Sequence, residues 1–392
     1  MRRFLLRNKE IKPLPYPYYW VAVFFLAAAG LANAVYLSVS HYRVYNDIGY
    51  RSFCAISKAL NCDTVSQSPF SILLGLPVPV WGIIGYTFFM ALVLLARRKD
   101  AQPRRIWTML LLVATGFSLY SIVLAFISSY YIHSYCIMCI ISYAIVMLLL
   151  FYTWLVRRRF QVGNIRGALG DDFRWLLGHR AMGCIAFCPF VIGVVLVIYL
   201  YPVYWKLEVP QIFPDTPTGM TADGHPWIGA ENPKLDIVEF ADYQCFQCKK
   251  MHFFLRRLIA EHPDKIRLVH RHFPMDHTMN PSVKEPFHVG SAAMALMAIA
   301  AVSQHRFWQM NDVLYKTDLG KKAINVREVA ERAGVDYDAL ARGMTDKRNV
   351  NKLVGDIRQG QKLGVNGTPA FLIEGKLYLG QIPADVIENA LR

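Results

Sequence analysis

Cys136-Ile137-Met138-Cys139 stands near the start of an apolar run, Ile132 to Val156, that reads IHSYCIMCIISYAIVMLLLFYTWLV. About 25 such residues, as a helix, cross a bilayer. Two cysteines three apart share one helix face, near enough to close a disulfide or to hold a metal. A thiol pair inside lipid meets membrane-soluble reactants, a quinone first among them.

Working outward, the chain of 392 residues is 54% hydrophobic with mean hydropathy +0.27, which suits a membrane part joined to a soluble part. The net charge of +15 is unevenly placed. Residues 1–205 hold 19 Lys and Arg against 6 Asp and Glu, whereas residues 206–392 hold 24 against 22. The excess therefore belongs to the membrane half, where basic loops set orientation. The soluble half has no basic stripe with interleaved aromatics, so nucleic acid is not an expected partner. The eight cysteines fall into pairs: Cys54/Cys62, Cys136/Cys139, Cys184/Cys188 and Cys245/Cys248. Zinc would want two C-x-x-C knuckles in one folded unit. Here one lies in a membrane span and the other follows a strand pattern far along the chain, so the reading is redox chemistry and no metal.

Arg2, Arg3, Arg7, Lys9 and Lys12 precede an apolar run from Tyr18 to about Val39. The run is too long for a signal peptide and no small-residue cleavage site follows, so it reads as an uncleaved first span. A polar stretch, Ser40–Pro77, contains Cys54 and Cys62. The second span is expected at Val78–Ala96, the third at Ile106–Tyr131, the fourth at the C-x-x-C, and a fifth at about Met182–Trp205. Arg97, Arg98, Lys99, Arg104 and Arg105 form one short basic loop, and Arg157–Arg159 open another connection. The positive-inside rule puts these in the cytoplasm. Cys54/Cys62, the start of the fourth span and the C-terminal domain then share the outer side, where disulfides persist.

Lys206–Pro233 is rich in Pro and Gly and reads as a linker. Leu235–Tyr243 (LDIVEFADY) is a buried-strand pattern that runs into Cys245-Phe246-Gln247-Cys248 and an amphipathic helix through about Glu261. Ile266–Phe273, Ala370–Ile373 and Lys376–Leu379 read as strands, Val289–Lys316 and Val326–Thr345 as helices, and a last helix starts near Pro383. Strands alternating with helices indicate a small α/β domain with a helical insertion. The expected domains are a four-span membrane domain at 1–160, a connection with the fifth span and linker at 161–233, and the α/β domain at 234–392.

A strand followed by C-x-x-C at a helix N-terminus is the thioredoxin arrangement. Unpaired N–H groups and the helix dipole favour a thiolate at the first cysteine. Cys245 is the expected nucleophile and Cys248 the resolving thiol. Glu239, six residues earlier, is placed to take a proton from Cys248. Thr368-Pro369 follows a Gly-rich loop and resembles the cis-proline that packs against such a pair. The run from Asp236 to Lys250, with His305-Arg-Phe-Trp-Gln-Met-Asn in the insertion, resembles the DsbA-like branch of the thioredoxin fold over roughly 225–392. That resemblance implies disulfide exchange with secreted proteins. The dipeptide Phe246-Gln247 lacks the histidine of strongly oxidising members, which implies a less oxidising pair.

In the membrane half, Cys54 and Cys62 precede Ser66-Gln67-Ser68-Pro69 and the entry Gly75-Leu-Pro77-Val-Pro-Val-Trp-Gly82-Ile-Ile-Gly-Tyr86. With Cys136-x-x-Cys139 and Tyr143, this resembles the vitamin K epoxide reductase family over about 18–157. The resemblance implies catalytic roles for Cys54, Cys62, Cys136, Cys139 and Ser68, and a quinone (ubiquinone or menaquinone) held by Cys139, Tyr143 and Ser68. Val78 stands where vertebrate members carry a quinone-binding asparagine, which leaves Tyr143 as the first hydrogen-bonding group. Ser68 taken alone suits a helix cap, Tyr143 a packed aromatic and His133 an interfacial residue. Cys184 and Cys188, at the cytoplasmic end of the fifth span, read as packing residues.

The expected fold is thus a membrane helical bundle, with a four-helix core and a linking fifth span, joined to a thioredoxin-fold domain. The resemblances imply a quinone-coupled thiol oxidase of the inner membrane. Its soluble domain faces the periplasm or outer side, and its partners are the bilayer, a membrane quinone and reduced secreted proteins. An alternative runs electrons the other way, as a transmembrane conduit reducing or isomerising outer disulfides. A third reading is a membrane-anchored chaperone with structural thiols, against which the spacing of the pairs argues.

Overall fold

The computed structural model describes residues 14–50, 52–56, 60–97, 106–178, 180–207, 216–317 and 324–391, with backbone alone for 176–177 and 180–189. The basic N-terminus, Arg51, Lys58, most of the basic 97–105 loop, and the side chains of Cys184 and Cys188 lie outside them. The chain divides into two compact units, Met1–Tyr204 and Trp205–Arg392.

In the first unit, α1 (Tyr16–Asn46) is a 31-residue helix. At 1.5 Å per residue it is about 46 Å long, well over the ~30 Å of a bilayer's apolar core. Val23, Ala27, Gly30 and Ala34 recur at helical spacing and form its buried stripe, which packs on two later helices. A Cβ at Gly30 would collide with the ring of Tyr86, so a glycine is what lets these helices approach. A short helix α2 (Cys62–Gln67) follows, then a hairpin of β1 (Ile72–Leu73) and β2 (Leu76–Pro77). Its two turn residues, Leu74 and Gly75, have φ of 49° and 79°, both positive as a type I′ turn requires.

Helix α3 (Val78–Leu95) starts with proline at its second position, where no N–H is needed. Helix α4 (Trp107–Ile127) continues as a π-turn through Ile132, and α5 covers Ile137–Arg159. Helix α1 packs on α3 and α5, and α4 on α5. Among the described residues these four helices are long and apolar enough to cross a membrane. A connecting helix α6 (Ile165–Gly178) caps α4, because Ile106 N donates to Asp172 Oδ1 at 2.8 Å. The expected fifth span coincides with α7 (Arg180–Leu200), which ends five residues earlier than the sequence suggests.

The second unit is a six-stranded mixed sheet with helices. Its strands are β3 (Thr218–Met220), β4 (Pro226–Gly229), β5 (Leu235–Ala241), β6 (Ile266–His272), β7 (Ala370–Ile373) and β8 (Lys376–Leu379), in the order β3-β4-β6-β5-β7-β8. β5 and β6 are parallel, joined by α8 (Phe246–Glu261), and the other pairs are antiparallel. Between β6 and β7 stand α9 (Ser291–Ala301), α10 (Phe307–Lys316), α11 (Val326–Ala333), α12 (Tyr337–Thr345) and α13 (Lys347–Lys362). A final helix, α14 (Ala384–Leu391), closes the chain. This is a thioredoxin-like fold with a helical insertion.

Three expectations need correcting. The stretch read as linker contains β3 and β4, which pair with the sheet, so the folded domain begins before residue 234. Val289–Lys316 is two helices, broken where His305 adopts φ 56°. Val326–Thr345 is also two, stopped at Gly334 with φ 67°, the ordinary left-handed helix stop.

Candidate active site

In the first unit Cys54 and Cys62 form a disulfide with Cα atoms 5.7 Å apart, while Cys136 and Cys139 are free thiols. Cys54, Cys62 and Cys136 form one buried cluster, against which Cys139 also packs. The loop is fastened to the start of α5. Leu60 bridges to Tyr135, Asn61 N donates to Tyr135 O at 2.9 Å, and Ser134 Oγ donates to Asn61 O at 3.4 Å. The Asn61 side chain caps α2 by accepting from Asp63 N and Thr64 N at 3.0 and 3.2 Å. From α1, Asn33 Nδ2 donates to Met138 O at 3.0 Å and ties down the first turn of α5.

The two C-x-x-C cysteines do not both lie in the helix. Cys136 is the N-cap of α5, with extended backbone, and its sulfur accepts from Cys139 N at 3.3 Å. An unpaired N–H at the helix start needs an acceptor, and the thiol supplies one.

Cys139 faces a cavity of about 420 Å³ lined by α1, α3, α4, α5 and the 65–73 segment. Its walls are mostly aliphatic and aromatic. Tyr143, Tyr86, Ser142, Ser68 and His41 bring polar groups to it, and Val78 lines it too. Ser68 ends α2, its Oγ donating to Val65 O at 2.8 Å, so it is at once a cap and a cavity residue. His133 ends the preceding π-turn with φ 53° and does not line the cavity. Such a cavity, apolar with a few convergent polar groups, has the size and chemistry to hold a quinone ring.

In the second unit Cys245 is the N-cap of α8 and its sulfur accepts from Cys248 N at 3.3 Å. Its thiol donates to Thr368 O at 3.4 Å, the carbonyl just before the cis bond to Pro369. Hydrogen bonding from the Cys248 side chain, then the field of His288, hold Cys245 below the ordinary thiol range in spite of burial. Burial, the bond to Cys245 and the charge of Asp242 push Cys248 well above it. One low and one high thiol is the asymmetry that disulfide exchange needs.

Glu239 lies in the middle of β5, opposite His270 on β6, and is fully buried. Its Oε1 lies 2.6 Å from His270 Nδ1 and 2.8 Å from His252 Nδ1. Burial alone would raise this carboxyl, but the two imidazoles bring it to about 2. His270 continues to Tyr243, whose hydroxyl accepts from Asn311 Nδ2 at 3.1 Å. The Tyr315 hydroxyl lies in the field of both Glu239 and Cys248. The ligand-type atoms of Glu239, His252 and His270 lie within 4.8 Å of one another. Their spacing is that of hydrogen bonds, and the Arg256 guanidinium 3.5 Å from His252 Nε2 is a poor neighbour for a divalent cation. Asp242 is a second buried carboxylate, accepting from Gln244 N and Met275 N, both at 2.6 Å. The sequence alone singles out neither the histidines nor Asp242. A signal exists only for His252, which stands seven residues after Cys245 on the inward face of an amphipathic helix.

The chain is similar to known proteins in two stretches. Residues 21–154 match the Vitamin K epoxide reductase family, and residues 221–392 match the family described as Thioredoxin. Among curated relatives, Na(+)/H(+) antiporter NhaA 3 of Salinispora tropica is 25% identical over 163 residues, 42% of this chain and 24% of its own length. The NhaA antiporter of Herminiimonas arsenicoxydans is 23% identical over 163 residues, with the same two coverages. The chain thus spans about a quarter of the length of these relatives. Among solved structures, a thioredoxin-like oxidoreductase from Silicibacter pomeroyi is 26% identical with a TM-score of 0.37, over 44% of this chain and 91% of that one. DsbA2 of Pseudomonas aeruginosa is 20% identical with a TM-score of 0.33, over 46% and 95%.

Proposed function

We propose that this chain, whose residues 21–154 and 221–392 match the Vitamin K epoxide reductase and Thioredoxin families, is a membrane-held thiol–disulfide oxidoreductase with the specific role of a quinone-coupled thiol oxidase. It makes disulfides in secreted proteins from the inner membrane, with its thioredoxin-like domain on the periplasmic side. The observation that carries this reading is the buried cluster in which the Cys54–Cys62 disulfide packs against the free Cys136 thiol, one helical turn from the cavity that Cys139 lines.

The relay runs by thiolate exchange, one S–S bond formed for each broken. A substrate dithiol reduces the Cys245–Cys248 disulfide and leaves with a disulfide of its own. The proton that Cys248 retains in its reduced form passes to the Glu239–His252–His270 system when Cys248 next attacks. Cys245 as thiolate attacks Cys54 and releases Cys62. Cys62 attacks Cys136 of the oxidised membrane pair, a Cys136–Cys139 disulfide, and releases Cys139 as a thiolate at the cavity wall. Cys248 attacks Cys245 and frees Cys54, which attacks Cys62 and frees Cys136, so the Cys54–Cys62 disulfide is restored and the membrane pair is left as a dithiol. That dithiol closes its S–S bond again as two electrons and two protons leave for the acceptor. A quinone, ubiquinone or menaquinone, supplies the two-electron, two-proton acceptor when bound. Tyr143 and Ser68 orient it, and the apolar walls keep water from Cys139. Pro369 presents the Thr368 backbone to the incoming peptide.

The test is quinone consumption by the purified full-length protein with a reduced secreted protein as donor. The reading expects one quinol per substrate disulfide formed. Substrate oxidation without quinone consumption would overturn it.

A further inference from the structure

The dipeptide Phe246-Gln247 brings no charge to the Cys245–Cys248 pair. A titratable side chain stands beside Asp242, the residue that touches both cysteines. The loop before α9 turns at His288 and Gly290, with φ of 42° and 91°, and is fastened to the segment before Cys245. Gln244 Nε2 donates to Val289 O at 2.8 Å. Ser291 Oγ donates to Asp242 Oδ2 at 3.0 Å, and His288 Nδ1 lies 3.1 Å from the same oxygen. Asp242 in turn touches both cysteines. Its carbonyl accepts from Cys245 N at 3.1 Å, and its N–H points at Cys248 Sγ at 3.5 Å. The Asp242 side chain is fully buried and that of His288 is 21% exposed, so the imidazole sits between solvent and a buried carboxylate.

We infer that His288 is a positioning residue for Cys245: paired to Asp242, its imidazolium offsets that carboxylate and supplies the positive charge that the Phe246-Gln247 dipeptide lacks. The inference rests on the proposal that Cys245 is the attacking thiol. Four groups act on its sulfur, by hydrogen bond or by charge: Cys248 from α8, Asp242 from the turn after β5, His288 from the loop before α9, and the Thr368 carbonyl from the cis-proline loop. Asp242 opposes a thiolate there and His288 favours one. A favoured thiolate stabilises the reduced pair and makes its disulfide a stronger oxidant.

The test uses the reduced full-length protein and the variants His288→Gln and His288→Lys. Alkylation against pH is read at Cys245 and Cys248 by peptide mass spectrometry, alongside the glutathione equilibrium of the pair. His288→Gln should slow Cys245 alkylation at neutral pH by about threefold to tenfold. The same factor in the equilibrium corresponds to a shift of about 15–30 mV toward the reducing side. His288→Lys, which keeps a charge, should restore most of both. Unchanged profiles in His288→Gln would overturn the inference. So would equal losses in both variants, which would make His288 a loop fastener. If Cys248 is alkylated before Cys245 in the unmodified protein, the assignment of Cys245 itself fails, a separate and recognisable result.

Discussion

At the scale of single residues, the two C-x-x-C pairs are built the same way: the first cysteine caps a helix and its sulfur accepts the N–H of the second. Within the membrane pair only Cys139 lines the cavity. Cys139→Ala should therefore abolish quinone reduction while leaving exchange between Cys245 and the loop pair intact; normal quinone turnover in that variant would remove Cys139 from its role. Glu239 carries a pH prediction. Its folded carboxyl is held at about 2 against an ordinary 4.5. A depressed carboxyl contributes stability that is present above about 4.5 and is lost as pH falls toward 2. Burial lowers His252 below its ordinary 6.5, and this adds to the same trend, because the unfolded chain takes up a proton that the folded one resists. Glu239→Ala should cost about 1–3 kcal/mol at neutral pH for each imidazole N–H left without its acceptor and flatten the stability curve between pH 4.5 and 2, as read by denaturant unfolding. An unchanged acid slope would contradict the account. The cysteines were legible because two C-x-x-C pairs and a spaced loop pair are sequence patterns. The groups around them were not. Glu239, His252 and His270 are 13 and 31 residues apart and meet only through strand register and a helix face.

At the scale of elements, long periodic segments were legible and their interruptions were not. Apolar length alone located the four membrane helices to within a few residues, except that α1 runs seven residues past Val39, to Asn46, into the stretch read as polar loop. Hydrophobic patterning carries through a short break, so the turn between Ala301 and Phe307, left-handed at His305, left no trace in Val289–Lys316. Composition misled at β3 and β4, where Pro and Gly suggested a linker but backbone pairing to β6 decides the structure. The loop carrying Cys54 and Cys62 depends on a small element, α2, capped by Asn61. Asn61→Ala should cost about 1 kcal/mol locally, so external dithiol should reduce the Cys54–Cys62 disulfide about fivefold faster. An unaltered rate would mean that this cap does not hold the loop against α5.

At the scale of the whole molecule, the question is what is gained by joining a thioredoxin-like domain to a vitamin K epoxide reductase-like one. Tyr204 ends the first unit packed on α1, its hydroxyl 2.8 Å from His41 Nδ1. The sheet of the second unit starts at Thr218. The intervening residues 205–217 reach at most about 45 Å, and a tether of that length gives effective concentrations up to about millimolar. Re-oxidation of a pre-reduced Cys245–Cys248 pair should then proceed at a rate independent of protein concentration over a tenfold dilution in detergent. Cutting the chain before Thr218 should make the rate fall with dilution; an intact chain that already behaves so would mean the domain serves a neighbouring molecule. Replacing Cys184 and Cys188 together by alanine should leave thiol oxidation unchanged, and loss of activity in a folded, inserted variant would favour the inward conduit. The central claim is the order of the relay, and mixed-disulfide trapping tests it most directly. In full-length Cys248→Ala supplied with oxidised quinone, peptide mass spectrometry should find Cys245 joined to Cys54. Cys245 found joined to Cys136 or Cys139, with the Cys54–Cys62 disulfide intact, would contradict the account.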